Sequence, residues 1–501
     1  MLEYIRLSMS ELVIHGVICS NFPNQLRLKS KTAMKRITKK AIIDLLSEGC
    51  DERVHVDPES GRNKYNLKPM AFQTLLQRGS CTANVLTPRS YALSKAFLSK
   101  YDELNYESLL EKQAARLTDL VQNDNHAPFD VFFGPSGSDL VYYPLMFQKM
   151  LNPGKRIVNI VSCPEELGSG SKYASETRFY ANYNQFGDDI EKGAFVDPSN
   201  VSEVHYLDAR DSEGKILDRS KAIQKIIAEN KGASIVGSLV YGSKSGIKDD
   251  LNVIDPNDGT MWVVDLCQFR VDKNLIHDLL EKGVMIMITG SKFFQAPPFC
   301  AALLVPRKWS MQLREVADAS IIAPYGKLFS AYDVPWFMEN MRSHLPKLEN
   351  KALRLRMEIA LDEMEAYQYW SQHQTDEMIL EWANACGKKL RESDFFELMP
   401  DQGKTNDSII SFQVKIGGKA LDNAQLKELF KTVCTREYDQ LKGGYKQVFF
   451  GQPVQYGDKS FIRLAIGAYS VRRLLEKGEL DLHNDYTLID IIEATAKELF
   501  A

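Results

Sequence analysis

Residues 261–295 constrain the fold more than any other part of the chain. A short apolar run ends at Asp265, apolar residues then recur at helical spacing over 274–282, and a second apolar run covers 284–288. Apolar runs of this length, with polar residues only where the run ends, are typical of buried parallel strands. We therefore predict strand, helix and strand, which brings Asp265 and Lys292 to the carboxyl edge of one sheet, where open α/β sheets bind ligands.

A carboxylate and an amine at one sheet edge have two interpretations. Asp265 and Lys292 either form a structural ion pair or serve a ligand that requires both groups. A lysine whose ammonium is destabilised by burial forms Schiff bases, and a buried aspartate needs a cationic partner such as a protonated pyridine nitrogen. Pyridoxal phosphate (PLP) requires both a lysine and an acid. These two residues alone leave both interpretations open.

Composition narrows the class of protein. A chain of 501 residues is long enough for roughly two to three domains. Its 62 basic and 66 acidic residues give a net charge of -4, so we expect no nucleic-acid partner. No apolar run approaches the roughly 20 residues that span a bilayer. Eight scattered cysteines without a CxxC pair indicate a reduced, cytoplasmic protein, and we expect no metal site.

The N-terminus is basic. Residues 1–40 contain eight Lys or Arg and two acids, which suits either an organelle transit peptide or a plain extension. We favour an extension over 1–34. The segment 35–70 is expected to pack on a smaller domain and to begin with an amphipathic helix at 35–47.

The remaining pattern predicts two domains. Alternating strands and helices over 71–330 predict an α/β domain, a seven-stranded mostly parallel sheet with helices on both faces. Long helices, the first expected at 345–366, beside fewer strands, expected at 408–416 and 460–466, predict a smaller α+β domain over 331–501. The large-domain strands are expected at 131–133, 156–161, 203–207, 233–241, 261–264, 284–288 and, antiparallel to the others, 301–305.

A Gly/Ser turn follows the first of these strands. Ser136, Gly137 and Ser138 lie between strand 131–133 and a helix predicted at 139–151. Backbone N–H groups, two hydroxyls and a glycine that permits close approach form a phosphate site that needs no lysine. The alternative is an ordinary helix cap by Ser136 or Ser138.

Three other segments carry candidate site residues. Ser80 and Thr82 either line a site or cap the following helix, and we favour capping or packing. Glu165 and Glu166 follow a strand and either face the ligand or occupy the first turn of the next helix, which we favour. Ser243 lies at the end of another strand.

Arg463 is a cation inside the apolar strand SFIRLAIGA. A buried arginine needs an anionic partner, and its planar fork suits a carboxylate. The candidates are a substrate carboxylate and a structural salt bridge.

Together these residues resemble fold type I PLP-dependent enzymes, and within them the class V aminotransferase and cysteine desulfurase group. The resemblance covers residues 70–470. It implies that the Ser136-Gly137-Ser138 turn binds the cofactor phosphate and that Asp265 pairs with the pyridine nitrogen. It also implies that Gln268 contacts the ring hydroxyl and that Lys292 is the Schiff-base lysine.

The same resemblance assigns further contacts. Thr289 and Ser291 correspond to phosphate-binding hydroxyls, Ser243 to a cofactor-binding position and Arg463 to the residue that binds the substrate α-carboxylate. Ser80 and Glu166 are further candidates for substrate contacts. The sequence departs from the group where Ser291 replaces a common histidine, where Ser243 replaces a common asparagine, and where no histidine follows strand 156–161.

The implied function is that of a PLP-dependent enzyme acting on an amino acid, with an aminotransferase favoured. The alternatives are a lyase of the cysteine desulfurase type, using Cys434, and a catalytically silent binding or regulatory protein. Cys434 shares a helical face with apolar residues, so a core position is favoured for it. The resemblance implies a homodimer with the site at the interface, for which loop 323–335 is a candidate donor. We expect no membrane partner.

Overall fold

The structure is a computed structural model, and its strands fall into two sheets. Residues 1–34, predicted to be an extension or a transit peptide, lie outside the described residues. The described residues are 37–269, 272–316, 318–400 and 407–501. In chain order the strands are β1 Leu75–Arg78, β2 Phe129–Gly134, β3 Ile157–Ser162, β4 Ser202–Leu207, β5 Ser234–Val240, β6 Met261–Asp265, β7 Met285–Thr289, β8 Ala301–Pro306, β9 Phe396–Leu398, β10 Ile409–Ile416, β11 Lys419–Ala420, β12 Gln447–Tyr456 and β13 Lys459–Ala465.

The larger sheet has seven strands in the order β2-β8-β7-β6-β5-β3-β4. β8 runs antiparallel to β2 and β7, and the other neighbours are parallel. The predicted seven-stranded, mostly parallel sheet with one antiparallel strand is therefore confirmed. Parallel neighbours need crossover connections, which here are mainly helical.

Helices cover both faces of this sheet. Along β7, Met285 and Met287 belong to one hydrophobic cluster, whereas Ile286 and Ile288 belong to another. Alternation with a period of two sends successive side chains to opposite faces. Both faces of the sheet are therefore buried, which explains why its strands appear in the sequence as continuous apolar runs.

The smaller sheet has the order β1-β12-β13-β10-β11, with β9 beside β10. Strands predicted at 408–416 and 460–466 are found as β10 and β13. Sequence analysis did not predict β12 or its parallel pairing with β1. β1 lies in the range assigned to the larger domain, yet it extends the smaller sheet. The domain boundaries at 70 and 330 stay predictions.

Two helix predictions are wrong in detail. The helix predicted to begin at 345 begins at Lys351, because Pro346 precedes it and Asn350 caps its first turn. The helix predicted at 139–151 is interrupted at Val141. The helices are α1 Lys39–Leu46, α2 Pro88–Lys100, α3 Tyr106–Val121, α4 Gly137–Leu140, α5 Tyr142–Leu151, α6 Ser169–Ser175, α7 Ser220–Glu229, α8 Lys273–Glu281, α9 Arg307–Arg314, α10 Ala319–Ile322, α11 Glu339–Arg342, α12 Lys351–Tyr367, α13 Gln372–Arg391, α14 Asn423–Thr435, α15 Ala468–Lys477 and α16 His483–Phe500.

Among the described residues, no helix combines the length and the apolar character that crossing a bilayer requires.

Candidate active site

Three segments meet at the carboxyl edge of the larger sheet. Asp265 ends β6, and Lys292 follows the end of the neighbouring parallel strand β7. Gly137, in the turn after β2, lies against both strand ends, since a Cβ atom there would stand 3.0 Å from Cys267 Sγ and 3.7 Å from Thr289 Cγ2. A Cβ atom here would crowd the Cys267 side chain, so glycine favours this close approach. The turn and the two strand ends therefore surround one small region.

Asp265 and Lys292 do not form the structural ion pair that the sequence left open. Within the described ranges, neither residue has a salt bridge. The Asp265 carboxylate accepts a hydrogen bond from the Cys267 backbone N–H at 2.7 Å. The half-buried Lys292 amine has no hydrogen-bond partner among the described side chains and carbonyls. Both groups therefore remain available to a ligand.

The main chain around Lys292 is fixed from two sides. The Asn84 side-chain amide donates to the carbonyl of Ser291 at 2.7 Å and to that of Lys292 at 3.3 Å. On the other side, α12 packs so closely that a Cβ on Gly290 would stand 2.2 Å from Ala360 Cβ. Sequence reasoning missed Asn84, because its target lies 207 positions away in the chain.

Gln268 presents an unsatisfied acceptor. Its Nε2 donates to the Ser80 carbonyl at 2.9 Å, whereas its Oε1 is buried and has no hydrogen-bond partner in the described part of the chain. A buried acceptor without a donor is costly, and native proteins rarely leave one unpaired. A ligand hydroxyl would satisfy Oε1, which is the contact that the resemblance implies for the PLP ring hydroxyl. The residues present therefore fit the cofactor.

The hydroxyls assigned to the phosphate have partners within the protein. Ser136 donates through its N–H and its Oγ to the Asp139 carboxylate, at 2.8 and 2.7 Å. Ser138 Oγ lies 3.0 Å from Ser171 Oγ, and Thr289 Oγ1 donates to the Cys267 carbonyl at 3.1 Å. Ser291 is buried nearby. A phosphate here would need Ser136 or Ser138 to exchange a partner.

Arg463 is fully buried and has no carboxylate partner among the described residues. Its Nη1 donates to Ser80 Oγ at 3.2 Å and to the Lys244 carbonyl at 2.8 Å, and its Nη2 donates to the Gln452 carbonyl at 2.6 Å. Its Nε has no hydrogen-bond partner within the described ranges. The alternative of a structural salt bridge is thus not observed. The guanidinium therefore links the segments that contain Ser80, Lys244 and Gln452. It also keeps N–H groups that make no hydrogen bond with the described residues.

Lys244 adds a cation that sequence analysis did not identify. Its Nζ donates to the carbonyls of Glu165 and Leu167 at 2.9 and 2.8 Å. Burial lowers the pKa of Lys244 to about 8, repulsion from Arg463 and Lys292 adds to this, and Glu166 opposes it. Three cations therefore share the site, which favours an anionic ligand.

Glu166 is not a first-turn helix acid, so the favoured sequence interpretation is wrong. The next helix, α6, begins at Ser169, and no acid lies in its first turn. Glu166 instead accepts hydrogen bonds from Ser243 Oγ at 2.6 Å, Ser245 N at 2.6 Å and Ser245 Oγ at 2.5 Å. Buried carboxylates need such donors. Glu166 and Ser243 therefore bind each other and join two loops.

The capping role favoured for Ser80 and Thr82 is also wrong. Thr87 caps α2 together with Ser90. Ser80 lies beside Arg463, and Thr82 Oγ1 is buried without a partner. The capping pair was recognisable, because Thr87 directly precedes the proline that begins α2.

Two cysteines bear on the lyase alternative. Cys434 is buried in α14, and burial raises its pKa. Its core position agrees with the favoured interpretation.

Cys81 is half-buried beside the candidate site. Burial raises the pKa of Cys81, and the charges of Arg463, Lys244 and Lys292 partly oppose this effect. Sequence analysis did not single out Cys81.

Loop 323–335, the candidate donor to a partner chain, packs on its own chain. The Phe329 ring stacks on Tyr143 with centroids 4.0 Å apart, and Tyr325 OH accepts a hydrogen bond from Asn200 at 2.8 Å. The next residue, Trp336, is 61% exposed. The prediction of a homodimer is not tested by these contacts.

Comparison with known proteins supports the fold. No family model matches the sequence, and no curated protein matches it. Among solved structures, a ureidoglycine-glyoxylate aminotransferase from Bacillus subtilis is 13% identical, with 85% of this chain and 93% of that chain covered and a TM-score of 0.52. A TDC from Oryza sativa, solved with PLP and tryptamine, is 13% identical, with 86% and 84% covered and a TM-score of 0.51.

A third similar structure is a NifS-like protein, 11% identical, with 84% of this chain and 99% of that chain covered and a TM-score of 0.53. The resemblance to PLP-dependent enzymes of fold type I is therefore confirmed for the fold. At these identities the similarity does not define the reaction.

Proposed function

We propose that the protein is a PLP-dependent enzyme that acts on an amino acid, with amino-group transfer as its reaction. One observation carries the proposal: the Lys292 amine has no partner among the described residues and lies at the sheet edge that also holds Asp265, whose carboxylate has no cationic partner there. An ordinary structural pair of these residues would show a salt bridge. The orphaned Gln268 Oε1 supports the same ligand.

PLP, when bound, supplies an electron sink for the bond that breaks, and the protein selects that bond. Lys292 supplies the amine that the cofactor aldehyde requires, and it then moves the substrate α-proton. Asp265 would hold a proton on the pyridine nitrogen of bound PLP. Gln268 Oε1 would accept a hydrogen bond from its ring hydroxyl.

Arg463 orients the substrate by its carboxylate. Among the described residues its Nε has no hydrogen-bond partner and its Nη2 has a single one, so N–H groups are left for a carboxylate. Lys244 adds positive charge, so we expect an anionic amino acid rather than a neutral amine.

Reduction with borohydride tests the proposal. The protein is mixed with PLP, reduced and digested, and the labelled peptide is identified by mass spectrometry. We expect label on Lys292 and none in Lys292→Ala. The exposed residue Lys282 provides a control, since Lys282→Ala should be labelled like the wild type. Label on Lys244 instead, or no label, contradicts the proposal.

A lyase of the desulfurase type is the second candidate, and the half-buried Cys81 favours it over a role for Cys434. In that reaction the carbon–sulfur bond of a cysteine substrate breaks, the sulfur bonds to Cys81 as a persulfide, and the protonated carbon skeleton leaves as alanine. Alanine formation that depends on Cys81 favours the lyase. A 2-oxo acid product favours transfer. Loss of both, with PLP still bound, favours a silent binding protein.

We further propose a homodimer with the site at the interface, as the resemblance implies. The exposed Trp336 marks a surface available for contact. Sedimentation at several concentrations tests this, and a fully active monomer contradicts it.

A further inference from the structure

The N-terminal segment brings a cation to the Ser136 turn. Arg53 lies in a short 3-10 helix, and its Nη2 lies 3.4 Å from Ser136 Oγ, although 83 positions separate them. Only 14% of its side chain is exposed. Neither the predicted site nor the proposed reaction uses this residue.

The Arg53 guanidinium is held in one orientation. Its Nε and Nη2 each donate to the Asp51 carboxylate at 2.6 Å. Its centre lies 4.2 Å from the centroid of the Phe299 ring and 5.2 Å from that of Tyr180. A bidentate pair with aromatic contacts pre-organises the fork, so little entropy is lost when a ligand binds.

The free edge of the fork faces the turn. A guanidinium has five N–H groups in a fixed plane, and Asp51 occupies the edge formed by Nε and Nη2. The second Nη2–H belongs to the other edge and points to Ser136 Oγ. On that same edge Nη1 has no hydrogen bond with any described residue. Two parallel N–H groups of this kind match two phosphate oxygens.

Two acids beside the turn would otherwise oppose a phosphate. Asp139 accepts hydrogen bonds from Ser136 and from Tyr180 OH, and Asp51 pairs with Arg53. Without Arg53 the turn would face uncompensated carboxylates. The protein therefore needs a cation here if a dianion is to bind.

We propose that Arg53 binds the cofactor phosphate together with the Ser136-Gly137-Ser138 turn, so that the N-terminal segment completes the cofactor site. This inference rests on the proposed function. The alternative is that Arg53 serves only to pair with Asp51.

Comparing two ligands separates these roles. PLP and pyridoxal, which lacks the phosphate, are titrated into the wild type and Arg53→Met, and binding is followed by absorbance. We expect PLP affinity to fall about tenfold to a hundredfold, as for loss of a charge-assisted contact, while pyridoxal affinity stays within twofold or so. Arg62→Met is the matched control, because Arg62 lies in the same segment and donates to the Asn66 carbonyl.

A second variant separates loss of the Arg53 contact from the destabilising effect of an unpaired Asp51 carboxylate. Arg53→Met leaves the buried Asp51 without its cation, whereas Asp51→Asn/Arg53→Met removes both charges. The double variant should show the same selective loss of PLP affinity. Equal losses for both ligands, or no loss for either, overturn the inference while leaving the proposed function intact. A wild type that binds neither ligand overturns both.

Discussion

Gln268 donates its side-chain amide to the main-chain carbonyl of Ser80 at 2.9 Å, across 188 positions of the chain. Ser80 Oγ in turn accepts a hydrogen bond from Arg463, which belongs to the smaller sheet. The cofactor-side residue Gln268 and the substrate-side residue Arg463 are therefore joined through one serine. Changes at either end should still be separable, because the two side chains use different atoms of Ser80.

Gln268→Leu should reduce PLP affinity with little effect on stability. The change removes the donor to Ser80 but also removes the unpaired Oε1, so the two effects on the free energy of unfolding offset each other. Loss of one neutral hydrogen bond to the cofactor should weaken binding about threefold to tenfold. Denaturant unfolding and PLP titration measure the two effects.

Gln148→Leu is the control for this prediction. Gln148 lies in α5 and is buried. Its Nε2 donates the same kind of hydrogen bond, to the Ile235 carbonyl in β5 of the larger sheet. It should lower stability and leave PLP affinity unchanged. Equal affinities for wild type and Gln268→Leu would remove Gln268 from the cofactor site.

Arg463→Lys should reduce kcat/KM about tenfold to a hundredfold, because lysine keeps the charge and loses the fork. PLP affinity should change little, since Asp265 and Lys292 do not contact Arg463. Arg472→Lys is the control: Arg472 is paired with Glu363, so its replacement should lower the Tm and spare kcat/KM. If Arg463→Lys lowers only the Tm, Arg463 has a structural role, which is to bind Ser80 Oγ and the carbonyls of Lys244 and Gln452.

The sequence predicted the features that are encoded within a single strand and the residues directly after it. Asp265 and Lys292 were placed at one edge because continuous apolar runs mark strands buried on both faces and parallel strands end together. The Ser136 turn was located by its glycine and by the strand before it. Local pattern therefore sufficed for the larger sheet and for the residues at its carboxyl edge.

Contacts made across long stretches of chain escaped prediction. β1 is a parallel neighbour of β12. Asn84 and Lys244 lie in loops and Arg53 lies in a short 3-10 helix, and the sequences of these segments show no helix or strand periodicity. Glu166 was misassigned for the same reason, since its donors are Ser243 and Ser245 from another loop. Loop packing depends on tertiary structure, which spacing along one segment does not encode.

Cys81 should be the first described cysteine to react with iodoacetamide. It is half-buried, whereas Cys50, Cys163, Cys267, Cys300, Cys386 and Cys434 are buried. Because burial raises its pKa, its reaction should speed up as pH rises above neutrality. Bound PLP should slow the reaction if Cys81 faces the site. Peptide mapping with and without PLP measures both effects, and Cys81→Ser controls for other sites. Equal rates with and without PLP would place Cys81 outside the site.

Asp139 should make the protein less stable as pH rises from about 4 to 6. Burial raises the pKa of Asp139 from 3.8 to about 6, and the charge of Asp51 adds to this, while hydrogen bonds from Ser136 and Tyr180 and the charge of Arg53 oppose it. Between these two values the folded protein keeps a proton that the unfolded chain releases, so the free energy of unfolding falls as pH rises. A difference of about two in pKa corresponds to about 3 kcal/mol at most.

Asp139→Asn should remove this dependence. The stability of the variant relative to wild type should therefore rise by up to about 3 kcal/mol between pH 4 and pH 7, as measured by denaturant unfolding at each pH. Asp51 does not confuse the comparison: pairing with Arg53 lowers its pKa to about 2, so its contribution is lost only below pH 4, outside the window. The exposed residue Asn125 supplies the control, since Asn125→Ala removes no ionisable group and should run parallel to wild type. If Asp139→Asn also runs parallel, folding does not raise the pKa of Asp139.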